Sequence, residues 1–378
     1  MSIIEGFQTE YGANSLRREF VSRVLSDVMY ENSYDKVNIP YIEPLSSYSE
    51  EILGKSPWPE WNDKCIFAFA INNYACNYEE SNTQEVCLIP EGTVSITRWL
   101  ADIISQGQNP NKKIFYNLHC FRNELISTLS ETKKREFEQF GVEILNSANY
   151  QSDIEILDIV FRLLDKLGVN NRNVRIRVNN IAIFNMLTDI SCIHDNDVIT
   201  IKCLLDLIAE CHAGKQSAMF ESRKEQLVNI LLKYSISNEI YQIWESIINH
   251  SYCNINELYN IFPVEFHDEI RLLQTIYNHF ALSAKKVEVD LSVIRSHQYY
   301  TGLSFEVDVI TNNHCFFEIA GGGRYDRLVK SFLKQKNENI GVVPCTGFAF
   351  GMDRVMSMLN CIGIFKGTKI LESKFKFE

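Results

Sequence analysis

No stretch of this 378-residue chain stays apolar long enough to span a bilayer, and its start, Met1-Ser2-Ile3-Ile4-Glu5-Gly6-Phe7, has neither the cationic opening nor the apolar run of a secretory signal. A cytoplasmic protein without a membrane partner is expected. The eleven cysteines contain no Cys-x-x-Cys; their odd number and wide spacing argue against a disulfide framework or a zinc ribbon and for buried free thiols. Cys192 with His194, and Cys211 with His212, are neighbours in sequence, but adjacency alone does not build a tetrahedral site, so no metal ligands are assigned. Positive charge is not in excess either. The 37 Lys and Arg against 48 Asp and Glu leave a net charge of −11, which argues against coating nucleic acid by bulk electrostatics while leaving room for a local basic site. With 46% apolar and 22% charged residues, the chain lacks the bias of disordered, collagenous or coiled-coil proteins. Its length suits two or three domains with a sizeable core.

Apolar residues at Leu16, Phe20, Val21, Val24, Leu25 and Val28 recur at helical spacing up to Met29, with Asn14-Ser15 as the expected cap. Strand-like runs follow at Val37 to Ile42, which carries Pro40, and at Cys65 to Ile71, Glu85 to Ile89, Lys113 to Phe121 and Phe137 to Leu145. Short connections between several of them suit an antiparallel sheet. A second helix is expected from a Ser152 cap through Ile156, Leu157, Val160, Phe161 and Leu164 to a stop at Gly168, and then a strand from Val174 to Val178. From Asp195 to Ser283 the periodicity is helical. Strand character returns at Val287 to Leu291, Leu303 to Ile310 and Cys315 to Ala320. The expected organisation is a core of residues 1–194 and 284–362, interrupted by a helical insertion at 195–283 and followed by a tail at 363–378.

Five blocks carry chemistry. Phe121-Arg122-Asn123-Glu124, a polar loop, and Arg135-Glu136-Phe137-Glu138-Gln139-Phe140-Gly141-Val142-Glu143 read as strand, loop, strand. Strand alternation puts Gln139, Gly141 and Glu143 on one face and Phe140 and Val142 on the other, although a solvated sheet face would explain the polar residues equally well. Leu88-Ile89-Pro90-Glu91-Gly92-Thr93 brings a carboxylate and a hydroxyl to a strand end before an apolar helix, where Thr93 could equally be a cap. Ile294-Arg295-Ser296-His297-Gln298-Tyr299-Tyr300-Thr301-Gly302 joins a cation to two phenols. Ala320-Gly321-Gly322-Gly323-Arg324-Tyr325-Asp326 and Gly347-Phe348-Ala349-Phe350-Gly351-Met352-Asp353-Arg354 place glycines where backbone must come close to a ligand or strand, each beside an arginine.

Taken in chain order, with Pro90-Glu91-Gly92-Thr93 first, the five blocks resemble the catalytic domain of the histidyl-tRNA synthetase family of class II aminoacyl-tRNA synthetases, from Gly6 to about Leu359. The resemblance implies an α+β fold, a six-stranded antiparallel sheet flanked by helices, and a homodimer formed through the motif that includes the first helix and Pro40. It also implies ATP with Mg2+ and an amino acid, histidine, as ligands. Arg122, Arg295 and Arg354 would be catalytic. Arg122 would hold the α-phosphate, Arg354 the γ-phosphate and the adenine face, and Arg295 the carboxylate and α-phosphate as the mixed anhydride forms. Glu124 would lie near the adenine amino group, and Arg135 belongs to the same ATP-binding set. Glu91, Thr93 and Gln139 would receive the ammonium and backbone groups. Glu143, Tyr300 and Tyr325, with Tyr299 beside them, would meet an imidazole, which when neutral offers one donor and one acceptor. Positioning and charge neutralisation then suffice, with no covalent enzyme intermediate.

The pattern also departs from the family. Arg-Gly-Leu-Asp-Tyr-Tyr is here Arg295-Ser296-His297-Gln298-Tyr299-Tyr300, Gly-Arg-Tyr is Thr132-Lys133-Lys134, and the usual Glu of the third class motif is Asp353. Only 24 residues follow Arg354, against the roughly 100 an anticodon-binding domain needs, and the tail lysines Lys366, Lys369, Lys374 and Lys376 suit a solvated end. The regulatory subunit of ATP phosphoribosyltransferase shares the fold and lacks that domain, so a regulator partnered with that enzyme's catalytic subunit is the alternative. A free-standing paralogue that passes an activated amino acid to an acceptor other than ordinary tRNA is a third expectation.

Overall fold

The computed structural model describes residues 4–54, 65–74, 81–108, 112–252, 254–283, 285–295, 299–312, 315–335 and 341–365. Residues 296–298 and the four tail lysines lie outside this set. Among the described residues the strands are β1 (Asp35–Lys36), β2 (Ile42–Pro44), β3 (Ala68–Tyr74), β4 (Ser81–Leu88), β5 (Lys112–Phe121), β6 (Glu136–Leu145), β7 (Val174–Asn180), β8 (Lys286–Val289), β9 (Leu303–Ile310), β10 (Phe316–Arg324) and β11 (Cys345–Gly351). The helices are α1 (Ala13–Glu31), α2 (Glu50–Leu53), α3 (Gly92–Ser105), α4 (Tyr150–Lys166), α5 (Ile181–Ile190), α6 (Asp195–His212), α7 (Phe220–Leu231), α8 (Asn238–Asn249), α9 (Leu258–Ile261), α10 (His267–Ala281), α11 (Leu328–Gln335) and α12 (Met352–Cys361). None of the described helices is long and apolar enough to cross a membrane.

One sheet runs β1-β5-β6-β11-β10-β9-β7-β8. Its six inner strands are antiparallel throughout, and β1 and β8 add a parallel strand at each edge. Strands β7 and β9 pair directly, so the strands before and after the long helical segment complete a single sheet. A smaller sheet runs β2-β4-β3. Helix α4 shows how the sequence builds the layer on the sheet. Asn149 caps it by accepting from the Gln151 N–H at 2.9 Å, and Ile156, Leu157, Val160, Phe161 and Leu164 form its fully buried face, each contributing about 1.5–3 kcal/mol. Gly168 (φ +85°) then takes the left-handed conformation that ends the helix.

Several local expectations are corrected. Ser152 lies inside the first turn of α4, and the cap is Asn149. Asn14 and Ser15 lie inside α1, whose N-cap is Gly12, without a side-chain hydrogen bond. The run Val37 to Ile42 is not one strand. The Val37 N–H still bonds the Phe115 carbonyl at 2.9 Å, but the chain passes Pro40, which has no N–H to donate, and joins the other sheet at Ile42. Among the described cysteines, Cys87, Cys120, Cys211 and Cys345 are buried, while Cys192 and Cys315 are exposed.

Between β7 and β8 the described elements are helices only, α5 to α10. Lys202 of α6 is 7% exposed and lies over the Phe184 ring at 5.5 Å, and burial lowers its ammonium from 10.5 to about 8. Its folded-state value is depressed, so the associated stability is present above the unfolded value and is lost as pH falls to about 8. Below that the cost of the buried charge stands in full, on the order of 3 kcal/mol. Lys202→Met should therefore stabilise the protein at pH 7 by about 1–3 kcal/mol and flatten this alkaline dependence, as read by urea unfolding at pH 7 and 10.

Candidate active site

A cavity of about 450 Å3 opens on one face of the large sheet. Glu91, Thr93, Arg122, Glu124, Gln139, Glu143, Arg295, Tyr299, Tyr300, Tyr325 and Arg354 all line it, so residues up to 263 positions apart in sequence meet there. Arg135 is not among its lining residues. The Arg135 guanidinium donates to the carbonyls of Glu124 (3.1 Å) and Glu5 (3.5 Å), bracing the loop that carries Glu124.

At one end, β6 turns Gln139 and Glu143 to the cavity and buries Phe140 and Val142 in the core, as strand alternation requires. Glu143 is opposite Gly347 of β11, where a Cβ would sit 1.6 Å from its Oε2. Gly92 and Gly141 likewise leave room for the Tyr116 ring, which a Cβ at either would reach within 2.4 Å or less. Three hydroxyls therefore reach Glu143. Tyr325 donates to Oε2 at 2.7 Å, and Tyr116 and Thr93 donate to Oε1 at 3.1 and 3.0 Å. Burial pushes the Glu143 carboxyl up to about 8, against the opposing pull of the hydrogen bonds from Tyr325 and Thr93.

Glu91, rather than Thr93, caps α3. It accepts from the N–H groups of Val94 (2.8 Å) and Thr93 (3.1 Å), which leaves the Thr93 hydroxyl for Glu143. Gln139 Oε1 accepts from the Gly92 N–H at 3.2 Å. Tyr299 and Tyr300 are buried with ring centroids 4.8 Å apart, and Tyr299 meets Tyr325 edge-on at 6.2 Å.

The other end is rich in charge. Arg122 donates to the Pro90 carbonyl at 3.0 Å and lies 5.0 Å from the Phe137 ring centroid, while Glu124 pairs with Lys133 at 3.0 Å. Asp353 is clasped by Arg18 of α1 and by Lys134, each at 2.8 Å. Asp353 and Lys134 are thereby tied to Arg18 in one ion network next to Arg354. Arg295 takes φ +58°, and its guanidinium lies against Gly321, where a Cβ would be 2.4 Å from Cζ. It pairs with Glu306 at 3.1 Å and approaches Glu318 to 4.0 Å, while its Nε is buried with no hydrogen-bond partner among the described residues. Arg354 is 3.5 Å from Glu318. Burial pushes Glu318 up, but Arg354, Lys215 and Arg295 outweigh it and hold the carboxyl at about 2.

Sequence reasoning missed several of these groups. Tyr116 was signalled by the paired glycines at 92 and 141, and Glu306 by the acids at alternate positions 306 and 308 of a mostly apolar strand. Asp206, Leu207 and Glu210 of α6 also line the cavity, and Lys215, just after α6, bonds Glu318. Burial, with Glu306 beside it, pushes Asp206 up to about 8. No local motif marks these α6 residues. Neither Cys192 and His194 nor Cys211 and His212 form a recognisable ligand group. The Cys211 thiol meets Arg223, and His212 lies instead near His250 and Asp290.

The antiparallel sheet and its flanking helices have the class II aminoacyl-tRNA synthetase fold. A solved Bacillus halodurans C protein, described as an ATP phosphoribosyltransferase regulatory subunit/histidyl-tRNA synthetase, superposes with a TM-score of 0.71 at 17% identity, covering 95% of this chain and 83% of that one. A histidine–tRNA ligase subunit from Alicyclobacillus acidocaldarius gives 0.67 at 19% identity, covering 96% and 98%. The family model for histidyl-tRNA synthetase matches residues 72–355, and the chain belongs to that family. Curated relatives include the histidine–tRNA ligase of Sulfurisphaera tokodaii, 26% identical over 359 residues (94% of this chain, 75% of the relative). That of Saccharolobus islandicus strain M.16.27 is 22% identical over 374 residues (97% and 78%).

Proposed function

We propose that the chain activates an amino acid, histidine, with ATP, forming an aminoacyl adenylate and passing it to tRNA or another acceptor. The observation that carries this reading is that a single cavity holds Arg122, Arg295 and Arg354 together with the Glu91, Thr93, Gln139, Glu143, Tyr300 and Tyr325 group. The substrate carboxylate attacks the α-phosphorus and pyrophosphate leaves. Arg122 and Arg295 face the charge that grows on the α-phosphate, and Arg354 faces the γ-phosphate. The Nε of Arg295, which has no hydrogen-bond partner among the described residues, is a donor left over for a ligand oxygen. An already ionised carboxylate needs no general base. Glu143, with Tyr325 and Tyr300, meets the imidazole, and Glu91, Thr93 and Gln139 meet the ammonium end. Glu124 takes the adenine side, with Arg135 acting through it.

The carboxylates Glu306 and Glu318 give the wall the oxygen donors that suit a hard cation, so they are the residues to hold magnesium, which supplies charge neutralisation to the phosphates. In this reading residues 1–194 and 284–362 form one catalytic core, 195–283 an insertion and 363–378 a tail. The protein pairs as a homodimer that covers exposed apolar side chains such as Tyr30, Tyr41, Ile42 and Phe69.

A second reading, a regulatory subunit working with an ATP phosphoribosyltransferase catalytic subunit, is favoured by the ion pairing at the phosphate end. There Arg295 already meets Glu306, and Arg354 meets Glu318. Exchange of labelled pyrophosphate into ATP, run with each amino acid separately, decides between them. Histidine-dependent exchange is the expected result. Exchange with another amino acid keeps the activity and rejects the substrate, and a folded protein that shows none supports the regulator.

A further inference from the structure

Away from the cavity, three separate chain segments bring nitrogen and oxygen ligands together. His212 ends α6, His250 follows the end of α8, and Asp290 follows β8; one ligand atom of each lies within 4.8 Å of the others. Asp290 Oδ1 is 3.8 Å from His212 Nδ1 and 3.5 Å from His250 Nδ1. Both distances are long for a hydrogen bond. Both are near the roughly 3.3 Å that separates two ligands of a tetrahedral zinc ion with bonds of about 2.0–2.1 Å.

The hydrogens point the same way. Nε2 of His212 is 3.1 Å from the Ile248 carbonyl oxygen, which can only accept, so Nε2 carries the proton and the neutral ring presents a bare Nδ1. Ser292 Oγ, 3.2 Å from that Nδ1, gives its hydrogen to Asp290 Oδ1. Nδ1 of His250 is buried and has no hydrogen-bond partner among the described residues. His212 Nδ1 and Ser292 Oγ thus face each other with no hydrogen between them, beside His250 Nδ1 and Asp290, and a cation among the four would satisfy their lone pairs. His250 is the left-handed residue (φ +48°) that ends α8.

From this we infer a zinc site formed by His212, His250 and Asp290, with its fourth position beside Ser292. Two imidazoles and a carboxylate suit zinc. The outer contacts suit it as well. The Ile248 carbonyl fixes the His212 tautomer, and Arg177 Nη1 holds Asp290 Oδ2 at 3.3 Å. Arg177 also bonds Glu306, the partner of Arg295, and only four residues separate Asp290 from Arg295. The ion fastens the ends of α6 and α8 to the segment that carries Arg295.

The test uses the whole chain, untagged, stripped of metal by a chelator and titrated with cobalt(II). The expected result is the visible absorption of tetrahedral cobalt, saturating at a single ion per chain and bleached by zinc, with thermal unfolding moving upward when zinc is restored. His250→Ala should abolish uptake, and Ser292→Ala should weaken zinc binding by about 10–100-fold. His119→Ala, at an exposed histidine on β5, should change nothing. A folded wild-type protein that takes up neither cobalt nor zinc stoichiometrically overturns the proposal and leaves a proton as the cation. Uptake that survives His250→Ala overturns it as well. The wild-type spectrum decides even if a variant fails to fold.

Discussion

Arg295→Ala should lower amino-acid-dependent pyrophosphate exchange by on the order of 10²–10³-fold, the usual cost of removing a preorganised group from charge that develops in a transition state. The backbone geometry singles this side chain out. A left-handed Arg295 (φ +58°) lies on the bare backbone of Gly321, with Nη1 anchored to Glu306 and Nε left without a partner among the described residues. An anchor on one nitrogen and an unused donor on another is what holding a substrate oxygen requires. Arg295→Lys should restore only part of the rate, because an ammonium is a point charge without the planar fork. Gly321→Ala should act in the same direction, since its Cβ would be 2.4 Å from Cζ and would displace the guanidinium. Circular dichroism and thermal unfolding check that each variant is folded. Unchanged exchange in Arg295→Ala would remove this residue from the reacting centre.

Much of this site could be read from the sequence because it is written in local pattern. The alternation of Gln139, Phe140, Gly141, Val142 and Glu143 assigns faces directly, since a strand has a period of two, and β6 carries them as expected. The runs at 113–121, 137–145, 174–178 and 303–310 are strands whose neighbours were left open, because sheet order depends on contacts between distant segments. Caps were less legible. Asn, Ser, Thr and Glu near a helix start are all able to accept a backbone N–H, and the choice of Asn149 over Ser152, or of Glu91 over Thr93, depends on where the preceding strand or loop delivers the chain. The acidic wall was the least legible part. Asp206 and Glu210 lie one turn apart on a helix whose periodicity announces only its buried stripe, and nothing local tells a solvated acid from one that lines the cavity. The same holds for His212 and His250, whose meeting with Asp290 is set by how α6 and α8 pack on the end of β8.

Glu143→Gln should separate two properties that Glu143 combines, stability and recognition. The folded-state carboxyl is raised to about 8, chiefly by burial, while an unfolded glutamate titrates near about 4.3. A raised acid contributes stability that is fully present below the unfolded value and is lost as pH rises through the folded value. Wild-type protein should therefore lose on the order of 5 kcal/mol from this group between about pH 4 and pH 8. The amide has the same shape and no proton to lose, so the variant should lack that part of the slope and exceed wild type in urea stability at pH 9. Tyr116, Thr93 and Tyr325 can rotate their hydroxyl hydrogens to suit an amide, which keeps the network satisfied. Recognition should move the opposite way. Above about pH 8, where Glu143 is ionised, an imidazole N–H that meets the carboxylate gains a charge-assisted bond of about 1.5–3 kcal/mol, so in exchange run at about pH 9 the variant should need about 10–100-fold more histidine for half-maximal rate. A flatter stability profile between about pH 4 and pH 8 with unchanged histidine dependence would leave Glu143 as a buried acid of the fold and take it out of the amino-acid site. A loss of histidine dependence without the stability gain would mean that the carboxyl is already ionised at neutral pH.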